Sequence, residues 1–361
     1  MVRALPAIVV ALALASPPAV ARASTREVPV DFSTIQAAID GAADGDVIEV
    51  APGTYSGPGN RDLTFHGLSL TLRAIGGPAA TTIDVQGTMA DTHRAFDLTD
   101  GESASAVVDG FTIENGYENQ GGAVELENGA SPTFMNCVFD ASSATLGGGA
   151  IGVEHGSPTF TRCLFTNDTA TSGGAIYLAD LASVSLTNCA FSGDMATTGG
   201  ALWAAGGSAQ LVNCTFFGNS SRYYGAAVFL RSGAQMTMEQ SIIAMNGGNE
   251  ALTTQLGSTA TAYCSDVYGN AGGDWTGGLA GQSTMNGNFS LDPQFCQTPG
   301  FELYVHRGSP VIYRGACGMI GAYGQGCPPR YMAPAGLGET AGVDGASSPV
   351  TWGQLKTDIE R

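Results

Sequence analysis

Gly173-Gly174-Ala175-Ile176-Tyr177-Leu178-Ala179-Asp180-Leu181-Ala182-Ser183-Val184-Ser185-Leu186-Thr187-Asn188-Cys189-Ala190-Phe191 is one unit of a series, and its reading decides the architecture. The opening tetrad recurs as Gly121-Gly122-Ala123-Val124, Gly148-Gly149-Ala150-Ile151, Gly199-Gly200-Ala201-Leu202 and Gly225-Ala226-Ala227-Val228. In chain order the steps are 27, 25, 26 and 26 residues. A second series keeps pace: Cys137-Val138-Phe139, Cys163-Leu164-Phe165, Cys189-Ala190-Phe191, Cys214-Thr215-Phe216 and Ser241-Ile242-Ile243. Two registers on one period mean one supersecondary unit, stacked several times.

Within a unit, Ala175 to Leu178 is strand-like, Val184-Ser185-Leu186 alternates at period two, and Cys189-Ala190-Phe191 follows a break at Asn188. Gly, Ser, Thr and Asp fill the gap to the next glycine pair, which reads as turn. Three short strands joined by turns make one coil of an all-β parallel β-helix solenoid, with coils about 4.8 Å apart. Inward positions then form columns: Val124, Ile151, Ile176, Leu202 and Val228, and beside it Leu126, Val153, Leu178, Ala204 and Leu230. The Cys and Phe columns add two more. Asn136, Asn188 and Asn213 suit a left-handed bend before the cysteines, a ladder that Arg162 and Gln240 are expected to break.

The ladder cysteines read as buried thiols, because in-register stacking sets their Cβ atoms near 4.8 Å apart against about 3.5–4.5 Å in a disulfide. Cys264, Cys296, Cys317 and Cys327 are expected to form one or two disulfides, with Cys317–Cys327 the most local pair.

The ends differ from the middle. Arg3, the apolar run Ala4–Ala15 and Ala21-Arg22-Ala23 form a secretion signal over 1–23, cleaved after Ala23. Ser33 and Gln36 fit a capping box, and Ile35, Ala38 and Ile39 make one apolar face, so a capping helix ending at Gly41 is expected. Irregular coils follow around Leu70-Leu72, Ile83-Val85, Phe96-Leu98 and Val107-Ile113. Regular repeats occupy about 120–246, and 247–290 reads as long loops between weaker coils. The solenoid is expected to span 24–327 and close near Tyr323. A Pro/Gly/Ala/Ser linker opens the tail 328–361, where Trp352, Leu355 and Ile359 share a helical face.

These residues carry a family resemblance. The GGA-[IVL] tetrads and Phe216-x-x-Asn219 are similar to repeats of chlamydial polymorphic membrane proteins, with Ser142, Asp168 and Asp194 where the Asn would recur. Thr34-Ile35-Gln36-Ala37-Ala38-Ile39-Asp40 and Gly45-Asp46-Val47-Ile48-Glu49-Val50-Ala51-Pro52-Gly53-Thr54-Tyr55 resemble the opening of pectin-lyase-like right-handed β-helix proteins. Asp292-Pro293-Gln294-Phe295, Gly308-Ser309-Pro310 and Ile320-Gly321-Ala322 resemble the close of secreted bacterial members. The resemblance spans about 28–327 and implies a right-handed solenoid. It implies little about activity, since that superfamily holds lyases, hydrolases, esterases, adhesins and proteins with no known activity.

The residues that its enzymes use are sparse. His66 and His155 precede Gly, but neither sits in Gly-His-Gly, and no Asp-Asp pair exists. Arg222 and Arg231 are the only bases in the central repeats besides Arg162. The four histidines, His66, His93, His155 and His306, look scattered, without metal-ligand spacing. A net charge of −18 and a single lysine, Lys356, disfavour nucleic acid and anionic membranes. No stretch after the signal is long and apolar enough to cross a membrane.

One outward column stands out: Glu125, Gly152, Tyr177, Trp203 and Phe229. Three aromatics on consecutive coils make a flat strip, with Tyr223 and Tyr224 in the preceding turn, Glu125, Glu154 and Arg231 as polar neighbours, and Glu127 and Asp180 beside them. Such a strip marks an interaction surface unless turns fold over it and bury it. The sequence therefore points to a secreted or cell-surface, non-catalytic β-helix that binds polysaccharide or a cell-surface partner through this face. A polysaccharide lyase or hydrolase and a structural envelope component are the alternatives. No cofactor is expected. Recurrent acidic turns, at Asn167-Asp168 and Asp194, leave Ca²⁺ open.

Overall fold

A computed structural model describes residues 23–296 and 303–327. The expected secretion signal, apart from Ala23, and the tail 328–361 lie outside the described residues. All sheets in the described chain are parallel and built from strands of successive coils, in ladders of ten, seven, nine and five strands. One coil runs Ile151–Glu154, Thr159–Thr161, Leu164–Thr166 and Thr169–Ser172, each in a different ladder.

The fourth strand departs from the sequence reading, which gave this segment as turn. It recurs as Tyr117–Gln120, Ser143–Gly147, Met195–Thr198 and Ser220–Tyr224. Its inward positions are small, Ala144, Ala196 and Ser221, and larger apolar residues such as Leu146 and Met195 point outward, so no apolar alternation announces it, while main-chain pairing between coils holds it. Likewise 247–290 is less loop-like than expected: Leu252–Thr254, Thr259–Tyr263 and Asp266–Tyr268 add a further three-stranded coil.

The columns stack in register. Val124 pairs with Ile151, Ile151 with Ile176, Ile176 with Leu202 and Leu202 with Val228. Phe139, Phe165, Phe191 and Phe216 are fully buried, with adjacent ring centroids 4.9, 4.7 and 4.5 Å apart and planes within 8°. Each such side chain contributes roughly 1.5–3 kcal/mol through burial, and stacking adds about 0.5–1.5 kcal/mol per ring pair.

The bend before the cysteines is left-handed in every coil, and Arg162 and Gln240 do not break it. Their φ values are 53° and 49°, beside 53°, 54° and 51° for Asn136, Asn188 and Asn213. Hydrogen bonding and packing between coils override the local preference of these two side chains, and Arg162 joins the ladder by donating Nε to Asn136 Oδ1 at 2.7 Å.

The capping helix is Ile35–Asp40, with Ile35, Ala38 and Ile39 buried. Its N-cap is Thr34, whose hydroxyl accepts from the Ala37 amide; the Ser33–Gln36 capping box does not form. Gln36 instead exchanges two hydrogen bonds with the Thr64 main chain, tying the cap to a coil.

Two disulfides close the C-terminal part, Cys264–Cys317 and Cys296–Cys327, in place of the expected Cys317–Cys327. Distance along the chain misleads here, because the last segment folds back along the outside of the nine-stranded ladder. The Ala322 amide reaches Thr215 Oγ1 at 2.9 Å, and Val305, Val311 and Ile320 form a second core with Ile242 and Ala244. Cys137, Cys163, Cys189 and Cys214 are free and buried, each thiol facing main-chain carbonyls such as Phe134 O or Phe160 O. Native protein is therefore expected to show no thiol reactive towards a disulfide reagent, and denatured, unreduced protein four. Thiol titration before and after denaturant checks this.

Candidate functional site

The outward column runs as the sequence predicts: Glu125 pairs with Gly152, Gly152 with Tyr177, Tyr177 with Trp203 and Trp203 with Phe229. Its exposure does not. Trp203 is 8% and Phe229 3% exposed, so the flat open strip is corrected to a largely covered one. The five-stranded ladder bends over it. Tyr224 stacks on Phe229 with centroids 5.5 Å apart, and Gly147 leaves room for the Tyr177 ring, which a Cβ would strike.

What remains open is narrower. Tyr177 is half-buried and stacks on Trp203 at 4.6 Å and 10°. Tyr223 and Tyr224 are 49% and 46% exposed on Ser220–Tyr224, the edge strand of the five-stranded ladder. The Arg222 guanidinium lies 5.2 Å from the Tyr223 ring centroid, a cation–π contact. Arg231 stands at the end of the strand carrying Phe229, close enough to act on the Tyr177 hydroxyl. The phenol of Tyr177 is pushed up by burial, then by Glu154 and Asp180, with Arg231 opposing. The open surface is thus aromatic with both signs of charge at its rim.

Glu125 lies at the other end of the column, 2% exposed. Gly152 has no side chain to occupy the space above it, and the Glu125 carboxyl fills that space. Gln120 Nε2 donates to Glu125 Oε1 at 3.0 Å and to Glu154 Oε1 at 2.9 Å, so one amide holds two carboxyls. Arg94 lies 3.6 Å from Glu125 Oε2. Burial pushes the Glu125 carboxyl up to about 7, against the pull of Arg94 and Gln120.

Sequence reading missed one cluster. His66 and His93, dismissed as scattered, line one cleft of about 500 Å³ with Gln36, Asp40, Arg61 and Asp62. His66 Nε2 is 3.2 Å from Asp40 Oδ1, and His93 Nδ1 is 2.7 Å from Asp62 Oδ2. The repeat period gave no signal for it: Leu63 pairs with Phe96, 33 residues on, whereas the two histidines are 27 residues apart and lie on the connections either side of that pairing. Every polar side chain named here already pairs within the cleft or its wall. Gln36 Nε2 donates to Asp40 Oδ1 at 2.8 Å, and Arg61 Nη1 to Val85 O at 3.1 Å.

Among the described residues, no group of three or more His, Cys, Asp or Glu side chains is arranged to hold a metal ion. Asp168 and Asp194, suggested as Ca²⁺-binding turn residues, are fully buried inside the coils and do not face solvent. Among the described residues, no helix is long and apolar enough to cross a membrane.

Against known proteins, the model of the right-handed β-helix region matches residues 95–289, more than half of the chain. No curated protein matches. Among solved structures, the pectate lyase Pel9A is similar at 16% identity and a TM-score of 0.43, over 70% of this chain and 71% of that one. A pectin methylesterase from Aspergillus niger, in deglycosylated form, is similar at 16% identity and a TM-score of 0.40, over 77% of this chain and 91% of that one. With its parallel coils and the matched region together, the chain belongs to the right-handed β-helix family.

Proposed function

We propose that this is an exported, non-catalytic β-helix protein that binds polysaccharide on the outer face where the five-stranded ladder ends. The observation that carries this is the exposed Tyr223–Tyr224 pair at a strand edge, braced by Arg222 and adjoining the half-open Tyr177–Trp203 stack. Aromatic faces stack on the apolar faces of sugar rings, and Glu154 and Arg231 supply an acceptor and donors for hydroxyls. Trp203 and Phe229 act from beneath, holding the tyrosine rings rigid, so little entropy is lost on binding. Export fits the N-terminal end as well. Cleavage after Ala23 would leave the amino group of Ser24, whose nitrogen lies 2.7 Å from Asp46 Oδ1, facing a carboxylate.

A hydrolase reading has one observation in its favour, the Glu125 carboxyl near pH 7 sharing Gln120 with Glu154. Paired carboxyls in unlike environments are how acid and base roles are divided. Against it, Glu125 is almost wholly enclosed, with Arg94 over its second oxygen.

Retention in affinity gels containing soluble polysaccharides tests the binding reading. The protein should be retarded by at least one polymer. Tyr223→Ala/Tyr224→Ala should weaken retention at least tenfold, since each stacked aromatic is worth about 1 kcal/mol. Unchanged retention in the double variant would move the site elsewhere on the solenoid.

A further inference from the structure

After each of the last six strands of the nine-stranded ladder the chain turns, and the next inward residue joins a buried polar column: Ser142, Asp168, Asp194, Asn219, Asn246 and Asn270. From Asp168 onward, one side-chain oxygen of each accepts the backbone amide of the column residue one coil earlier. Ser142 N donates to Asp168 Oδ1 at 2.9 Å, Asp168 N to Asp194 Oδ1 at 3.0 Å, and Asp194 N to Asn219 Oδ1 at 3.0 Å. Asn219 N and Asn246 N continue the pattern at 2.9 and 3.1 Å.

The three asparagines use their second side-chain atom as a donor. Nδ2 of Asn219, Asn246 and Asn270 donates to the carbonyls of Phe191, Phe216 and Ile243 at 3.0, 3.1 and 2.9 Å. Phe139, Phe165, Phe191, Phe216 and Ile243 are successive partners in one ladder. By that register the matching carbonyls for Asp168 and Asp194 are those of Phe139 and Phe165. At both aspartates the second oxygen, Oδ2, is buried with no hydrogen-bond partner. An ionised carboxylate offers only acceptors, and an unpaired charge in this position is costly. A protonated carboxyl offers the donor that the three asparagines of the column use.

We propose that Asp168 and Asp194 are held as neutral carboxylic acids standing in for asparagine, each donating its proton to a main-chain carbonyl, and that release of these protons makes the pair an alkaline weak point of the solenoid. The facing groups agree. Asp168 sees Asp194 and Asp140, and Asp194 sees Asp140. The strands packed around them, Val138–Asp140, Leu164–Thr166, Thr169–Ser172, Ala190–Ser192 and Met195–Thr198, bring Asp140 as their single titratable side chain and no Arg or Lys. Burial is the main force pushing both carboxyls up, like charge adds to it, and main-chain hydrogen bonds oppose it, from Ser142 and Thr166 at Asp168 and from Asp168 at Asp194.

The pH dependence follows from the sign of the shift. In the unfolded chain an aspartate loses its proton near pH ~3.9, while in the coil it keeps it. The folded state then binds more protons, so stability is greatest below that pH and declines as pH rises towards the raised folded value. Glu125 and Asp266, whose carboxyls are also raised to about 7, add their own dependence, so the comparison with asparagine variants isolates this pair.

The test is thermal unfolding of the full chain from pH 4 to pH 9, with Asp168→Asn/Asp194→Asn alongside. The double variant should match the parent near pH 4 and melt at least about 5 °C higher near pH 8. Infrared spectroscopy at pH 8 should show a protonated-carboxyl stretch that is diminished in the double variant. Parallel melting profiles together with an unchanged infrared band would overturn the proposal. So would a double variant that fails to fold, because asparagine is the residue this position is held to accept.

Discussion

Gly174→Ala should prevent the native solenoid from accumulating. A Cβ at this position would press on the carbonyl oxygen of Gly200 and lie 2.8 and 2.9 Å from the amide nitrogen and carbonyl oxygen of Met195. Those are backbone atoms of the next coil, fixed in their turn: Gly174 N donates to Gly199 O at 3.2 Å and Met195 N to Asp168 O at 2.9 Å. Nothing flexible is available to move, so two coils must separate. The cost is about 3 kcal/mol or more, out of a net stability of about 5–15 kcal/mol. The fifth tetrad supplies the contrast. Ala226 stands where the other tetrads have their second glycine, and there the five-stranded ladder ends, with no further strand of it beyond Ser220–Tyr224 among the described residues. Ala226→Gly should therefore cost no more than about 1 kcal/mol. Denaturant unfolding followed by circular dichroism measures both, and equal effects would contradict the close-approach account of the glycine pairs.

Phe191→Ala should be the most damaging change of a core side chain, costing about 3–5 kcal/mol. Phe191 is fully buried and stacks on both neighbours, on Phe165 at 4.7 Å and on Phe216 at 4.5 Å. Truncation leaves a cavity inside a continuous column, and the backbone above and below is pinned by ladders on either side, so collapse is limited. Phe217→Ala, one residue after Phe216 but outside the Phe column and only partly buried, should cost clearly less. Chemical denaturation midpoints of the two variants compare them directly, and a Phe191→Ala cost below that of Phe217→Ala would remove the column from its place in the account.

The features that could be read in the sequence were those repeated at fixed spacing. Ile151, Ile176 and Leu202 declare a shared inward column because three coils place the same kind of residue at the same phase, and the same count put Tyr177, Trp203 and Phe229 outside in register. What covers that column was not legible. Thr169–Ser172 and Met195–Thr198 pair through their backbones, with a hydroxyl contact between Ser172 and Thr198, and strands held in that way leave no hydrophobic pattern. The His66–His93 cleft was hidden because the first coils are irregular, with steps of 24 and 36 residues at Ile48–Leu72 and Leu72–Val108, so no fixed spacing relates the two histidines. Cys264–Cys317 depends on a segment doubling back along the solenoid, a path that no periodicity encodes. The Asp168–Asp194 pair shows the reverse case, where a break in a repeated asparagine is informative only once its inward direction and its silent Oδ2 atoms are known.

The central claim is that the outer face binds a polymer without transforming it. The most direct measurement incubates the protein with each polysaccharide of a soluble panel and scores retention and product formation in the same samples, by chromatography for new reducing ends and by ultraviolet absorbance for unsaturated ones. The account predicts retention of at least one polymer, weakened in Tyr223→Ala/Tyr224→Ala, with chain length unchanged after prolonged incubation. Release of shortened or unsaturated products, lost in Glu125→Gln, would contradict it and assign the enclosed Glu125–Glu154 pair to catalysis.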